Sequence, residues 1–305
     1  MEAAVVLVRL VAFAAGVTLF GAPLFVLYGL PRENASAGAL RPILIVAAFL
    51  TILAATVGLV LQTGEMAGDP SAGLDLATLR DVLAGGGFGI SMAVRVLAGL
   101  LALVPLIARR AGRGLWGLTA VLGAVSLAAI AWSGHGGADE GAAGLVHALA
   151  DVVHLLSAGV WLGALAALLL MLNQRSSSTS SSVAVVDLHG ALKGFAGVGS
   201  ATVALIVASG LVNSWFLVGP SHIGDFAYSL WGRLLLIKLA VFTAMLGLAA
   251  LNRFRLTPRL EATLASDPAA ALGDLRRSLA QETAAGLAVL ALVAALGRLA
   301  PPLSG

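Results

Sequence analysis

Eight stretches of roughly twenty apolar residues recur along the 305-residue chain, at about residues 4–29, 40–62, 88–108, 114–133, 145–172, 195–218, 229–251 and 280–299. A helix needs about 20 such residues to cross a hydrocarbon core about 30 Å thick, where backbone polar groups must be satisfied internally. The chain therefore reads as an all-α polytopic membrane helix bundle with eight transmembrane helices. Composition agrees: 59% of residues are apolar and 11% are charged, against about 25% charged in soluble domains. There is no cysteine, which excludes a disulfide-stapled module, a thiolate metal site and a CxxC redox motif. The net charge of +3 does not imply nucleic acid, because the basic residues are spread between apolar runs and form no basic face. The first span opens Met1-Glu2 without a basic n-region and is longer than a signal core, so it is expected to be retained.

Lysine and arginine in the short loops set the expected orientation. Loop 1-2 carries Arg32 and Arg41, loop 3-4 Arg109, Arg110 and Arg113, loop 5-6 Arg175 and Lys193, and loop 7-8 Arg253, Arg255, Arg259, Arg276 and Arg277. The opposite loops hold only Arg80, but they hold Glu65, Asp69, Asp75, Asp81, Asp139, Glu140 and Asp225. Both termini are thus expected outside, with the arginine-rich loops in the cytosol. Ser176 to Ser182 reads as a flexible connector. Leu76 to Ala84 reads as a short amphipathic surface helix ending at Gly85-Gly86-Gly87, and Asp274 to Ala280 as a helix entering the last span.

The chain divides into two four-helix halves, 1–133 and 134–305, that echo one another. Gly58-Leu-Val-Leu-Gln62 in span two matches Gly210-Leu-Val-Asn213 in span six, and Phe88-Gly89 with Arg95 matches Trp231-Gly232 with Lys238. Four helices per half would keep two copies in one orientation, as in parallel-repeat transporters.

Ionisable groups inside a membrane cost a few kcal/mol each unless paired or wet, so they point to function. Span five reads His147-Ala-Leu-Ala-Asp151-Val-Val-His154-Leu-Leu-Ser157-Ala-Gly-Val-Trp161-Leu-Gly163. Steps of three and four put His147, Asp151, His154, Ser157 and Trp161 on one helical stripe, expected to face the bundle interior. His147 and His154 lie about 10.5 Å apart along the axis, too far to share one ion simply, but each is within a turn of Asp151. The carboxylate can orient either imidazole or join a coordination shell. His135, in Gly134-His135-Gly136-Gly137, is placed to fold over the mouth of this span; Glu65, Met66, Met92 and His222 are further candidate ligands on that face. Asn213 and Lys238 are candidates to line the same cavity. Imidazole and thioether hold copper in either oxidation state, whereas zinc and iron usually bring cysteine or more carboxylates. The same spacing also fits Asp151 and His154 satisfying each other between packed helices. Met66 and Met92 equally suit gap-filling, and Arg95 and Lys238 equally suit snorkelling or pairing with an acid.

These residues resemble a known family. Asp151-Val-Val-His154 through Trp161-Leu-Gly163-Ala-Leu is similar to the helix motif of the copper resistance protein D (CopD) family, with Ala164 where the family has a second glycine. Trp231-Gly232-Arg233 through Lys238, then Asn252-Arg253-Phe-Arg255-Leu-Thr-Pro258, and Leu275-Arg276-Arg277 through Glu282 also resemble that family. The resemblance implies a bacterial inner-membrane protein of copper homeostasis. The clustering of ligands on the outer face adds the expectation that copper, Cu(I) or Cu(II), is held near His135, His147 and His154 and passed inward. The resemblance also implies a small periplasmic CopC-like carrier, expected here as a separate polypeptide. No GxxxxGK[ST] loop is present, so the chain reads as a carrier driven by gradients or exchange rather than as an enzyme. Two other readings stay open: a haem-binding electron-transfer protein, which needs facing histidines, and a scaffold that docks a periplasmic copper carrier without transport.

Overall fold

The computed structural model describes residues 2–30, 35–133, 141–175, 182–219, 224, 226–263 and 269–302. They form α1 (Glu2–Gly29), α2 (Arg41–Ala67), α3 (Leu76–Ala84), α4 (Gly87–Ala108), α5 (Arg113–Ala129), α6 (Gly141–Arg175), α7 (Ser182–Val218), α8 (Leu230–Leu251), α9 (Thr257–Thr263) and α10 (Ala269–Leu296). Eight helices are long and apolar enough to cross a membrane, and no strand occurs among the described residues.

Local chemistry sets the boundaries. The Asp75 side chain accepts from the Thr78 amide at 2.8 Å and starts α3, which runs over the expected residues; Gly86, at φ 144°, makes the break before α4. Ser229 caps α8 by accepting from the Gly232 amide at 3.0 Å. At the arginine-rich end, Arg41 donates to the Leu106 and Ile107 carbonyls at 2.6 and 2.8 Å. Arg113 donates to the Leu27 carbonyl at 2.7 Å. Helix ends leave carbonyls without intrahelical partners, and basic side chains suit them.

Two boundaries differ from expectation. The segment after the seventh span is not an open loop: α8 continues through a π-helical turn, Asn252–Leu256, into α9. The last helix starts at Ala269, five residues before the expected Asp274, and carries Arg276 and Arg277 within it as expected. Apolar residues remain frequent beyond each hydrophobic run, so helix formation outlasts the segment long enough to span. Of the serine-rich connector, residues 176–181 lie outside the described residues, and Ser182 opens α7.

Helix α1 is the centre of the bundle, packed on α2, α5, α6 and α10. Its seams are glycine-lined: a Cβ on Gly21 or Gly163 would land on the other helix's backbone, and one on Gly123 on that of Leu19 and Phe20. Close backbone approach at small residues is a common basis of helix association in lipid. Helices α1, α2, α4 and α5 close into a ring, each touching the next. The other four do not: α7 packs on α6, α6 on α10 and α10 on α8, but α7 and α8 hardly touch. They are also the least covered spans.

Candidate functional site

The gap between α7 and α8 is filled by three cavities in series. The first, about 190 Å³, is lined by His147, Asp151 and His154 of α6, Asn213 of α7, Lys238 of α8 and Arg9 of α1, among others. The second, about 240 Å³, shares His154 and Lys238 with it and reaches Trp161. The third, about 520 Å³, starts at Trp161 and extends past Asn252 and Glu282 to Lys193, Arg253 and Glu261 at the arginine-rich end. The helical stripe of α6 thus faces a string of cavities, with Trp161 at the last junction.

The polar groups that α6 contributes to the first cavity are held by their neighbours. His147 is buried and its ring stacks on Phe216, 4.8 Å between centroids and 5° between planes. Asp151 Oδ1 accepts from Asn213 Nδ2 at 3.2 Å. His154 Nδ1 lies 3.1 Å from Ser209 Oγ, and that hydroxyl donates to the Leu205 carbonyl at 2.6 Å. With its proton directed to the Leu205 carbonyl, the Ser209 oxygen is available to accept from His154 Nδ1–H, the tautomer that leaves the lone pair on Nε2. Gly210 makes room for the ring, since a Cβ there would stand 3.4 Å from His154 Cε1. Asn213 Oδ1 and Trp231 Nε1, both on residues lining this cavity, are buried without hydrogen-bond partners. Buried polar groups are rarely left so, and the pair calls for a hydrated or liganded interior.

At the other end of the series Glu282, almost wholly buried, accepts from Trp161 Nε1 and Asn252 Nδ2, both at 2.8 Å. Lys193 donates to Glu261 at 2.8 Å, with His189 Nε2 3.4 Å from the same carboxylate. Arg253 ties α8 to α7 through the Ala196 carbonyl and the Ser200 hydroxyl.

The structure gathers His147, Asp151, His154, Asn213 and Lys238 at one cavity and puts Trp161 one step further in. It does not gather the rest. Glu65 is paired with Arg298 through two bonds of 2.9 Å, and Met66 is exposed. Met92 is buried elsewhere, its sulfur accepting from Arg95 Nη1 at 3.6 Å. Arg95 neither snorkels nor pairs with an acid: it is buried, and no described carboxylate reaches it. His135 and His222 lie outside the described residues. Among the described residues no group of three or more His, Asp or Glu side chains comes close enough to hold a metal ion, consistent with the axial separation of the two α6 imidazoles. Two of the acids on the arginine-poor face serve as caps. Asp69 is held below the usual carboxylate range by the Ser71 side chain and amide, and Asp75 by those of Thr78.

Arg9 escapes the sequence reading, and Glu282 enters it only as part of the resemblance and as an acid for a buried cation. Both are ionisable residues inside apolar spans, a signal that marks functional positions, but only their neighbours across the bundle give them a place.

Residues 1–145 match the model of the copper resistance protein D-like N-terminal domain, and residues 189–296 match that of copper resistance protein D. Copper resistance protein D of Pseudomonas syringae pv. tomato is 39% identical over 292 residues, 93% of this chain and 92% of that protein. The chain belongs to the copper resistance protein D family. Other CopD relatives include the copper transport protein CutJ of Bacillus subtilis, 28% identical over 222 residues that make up 72% of this chain and 37% of that protein. The inner membrane protein YebZ of Escherichia coli is 30% identical over 204 residues, 66% of each chain. No solved structure matches. The two matched CopD segments leave out residues 146–188, so most of α6, including His147, Asp151 and His154, lies between them. Its place in the site rests on geometry.

Proposed function

We propose that this copper-handling membrane protein carries copper, as cargo, across a bacterial inner membrane through the cavity series of its C-terminal half. The arginine-poor face is periplasmic in this reading, and both termini lie there, because arginine and lysine concentrate on the opposite loops. Copper enters the first cavity near His135 and His147 and is held by His147 and then by His154, with Asp151 supplying charge between them. The two imidazoles are successive stations rather than one site. Copper then passes along α6 toward Trp161 and the third cavity. A separate CopC-like chain would deliver the ion at the periplasmic mouth. The observation that carries the proposal is the first cavity itself, where His154 offers a free Nε2 locked by Ser209 beside a carboxylate and a histidine. Neutral imidazole fixed by its second nitrogen is the common form of a metal-ligating histidine.

Lys238 and Arg9 line the cavity that holds Asp151. Entry of a cation onto Asp151 therefore displaces an internal competitor, which favours exchange over leak. Copper uptake by vesicles carrying the wild type should fall about a hundredfold in His154→Ala, the upper range for loss of a metal-orienting group. Equal flux in both would leave only a docking role. Copper should co-purify with the wild type and be reduced in His147→Ala and His154→Ala, while a Soret band with sharp α and β bands would instead identify haem.

A further inference from the structure

The N-terminal half holds one small cavity of its own, about 50 Å³, lined by Arg9, Gln62, Met92, Arg95 and Ser133 together with apolar residues of α1 and α2. Arg95 is only 4% exposed. Its Nη1 donates to the Met92 sulfur, and its Nε and Nη2 are buried with no partner. Arg9 Nε is likewise buried without a partner. No described carboxylate is within salt-bridge distance of either guanidinium; both residues line the cavity, Arg9 with its guanidinium over the Phe13 ring at 5.9 Å and against Gly297, Arg95 with two unpartnered N–H groups. Burying a charge without a partner is among the costliest arrangements a protein can hold, and two like charges compound it. Guanidinium N–H groups strengthen markedly when the acceptor is an anion.

We propose that this cavity is a binding site for a small inorganic anion of the halide class. A water-sized body needs roughly 10–15 Å³ of such space, so a cavity of about 50 Å³ takes a chloride or bromide together with a few waters and is too small for a lipid headgroup. The Gln62 amide adds a neutral donor, the Ser133 hydroxyl gives its proton to the Ile130 carbonyl at 2.9 Å, and the remaining wall is apolar, which suits a weakly hydrated monatomic anion. Because Arg9 also lines the histidine cavity, a bound anion would offset positive charge beside the entering cation. The site itself is independent of the copper reading and is tested without copper.

The test is equilibrium binding of radioactive chloride to the full chain in detergent, with ionic strength held constant by gluconate. The wild type should bind saturably with about one anion per chain and rise in thermal midpoint as chloride replaces gluconate, as expected when a ligand binds only the folded state. Arg95→Gln should weaken binding by at least about tenfold, the loss of a charge-assisted donor set, and abolish the chloride-dependent rise in midpoint. Sulfate at equal ionic strength should compete poorly with chloride. If Arg95→Gln does not fold, Arg9→Gln and the wild-type measurement decide. No saturable binding in the wild type would overturn the proposal. So would unchanged affinity in both arginine variants, or binding that arises only after Asp139→Asn and Glu140→Gln, which would mean that a carboxylate of the chain fills the place.

Discussion

The two four-helix halves solve the problem of buried polarity in opposite ways. In the N-terminal half the helices close a ring, and buried hydroxyls bond to backbone carbonyls: Thr51 and Thr119 to Ala47 and Leu115 of their own helices at 2.9 and 2.8 Å, and Ser91 of α4 to Ala129 of α5 at 2.5 Å. In the C-terminal half α7 and α8 stand apart, and polar side chains bond between helices. His154 meets Ser209, Asp151 meets Asn213, and Glu282 meets both Trp161 and Asn252. A closed ring leaves one isolated cavity of about 50 Å³ and no path through it, whereas the open half, held by polar cross-links, carries a series of cavities from one end toward the other. The echoed sequences make the contrast sharper. Gly58, Gln62, Phe88 and Arg95 line the small cavity of the first half, while Gly210, Asn213, Trp231 and Lys238 line the first of the three cavities of the second. Corresponding positions frame a compartment in each half, but only the second adds imidazoles and a carboxylate from its leading helix.

The largest expected effect lies where the halves meet. Gly163→Val would drive a side chain into the Gly21–Ala22 backbone of α1. Neither helix can yield, so the loss should be about 3 kcal/mol, at the upper end for overpacking. The same change at Gly247 of α8, where a Cβ meets open space, should stay within about 0.5 kcal/mol. Thermal unfolding of both variants in one detergent measures the difference, and equal losses would refute the closed-against-open contrast.

Next comes Glu282→Ala. It strands the Trp161 and Asn252 donors, and unsatisfied buried donors cost about 1–3 kcal/mol each. Water from the adjoining 520 Å³ cavity can reach them, so the net loss should be about 2 kcal/mol in the same unfolding assay. Glu282→Gln, which keeps one acceptor, should lose about half of that. A loss equal to that of Gly163→Val would mean that the third cavity is dry.

How much of this was legible beforehand follows the range of the interactions. The eight spans, the short helix α3 and the inward stripe of α6 are local patterns of apolarity and spacing, and each was readable from consecutive residues. The meeting of Trp161 with Glu282 and of Asn252 with Glu282 spans 121 and 30 positions, and no periodicity encodes it. Glu65, Met66 and Met92 fall near the same membrane face as His147 and have suitable donor atoms. Which compartment each enters depends on helix rotation, which no run of consecutive residues encodes. Arg9 is marked by no spacing in the sequence, and packing makes it the wall shared by two cavities. The gap between α7 and α8 is equally absent from the pattern, because both are as apolar as the helices that do close.

The smallest expected effect isolates the chemistry of the open half. Ser209→Ala removes the acceptor that fixes His154 with its proton on Nδ1, while Gly210 keeps the space for the ring. The imidazole then samples both tautomers and a wider range of orientations. Copper affinity should fall by about tenfold, the lower end for loss of a group that orients a metal-binding histidine. The matching truncation in the closed half, Thr51→Ala, deletes a hydroxyl that serves only its own helix, and copper affinity should not move. Titration of copper into the two purified variants separates the outcomes. A drop in both would trace the effect to bundle stability, and no drop in Ser209→Ala would mean that His154 does not meet the metal through Nε2.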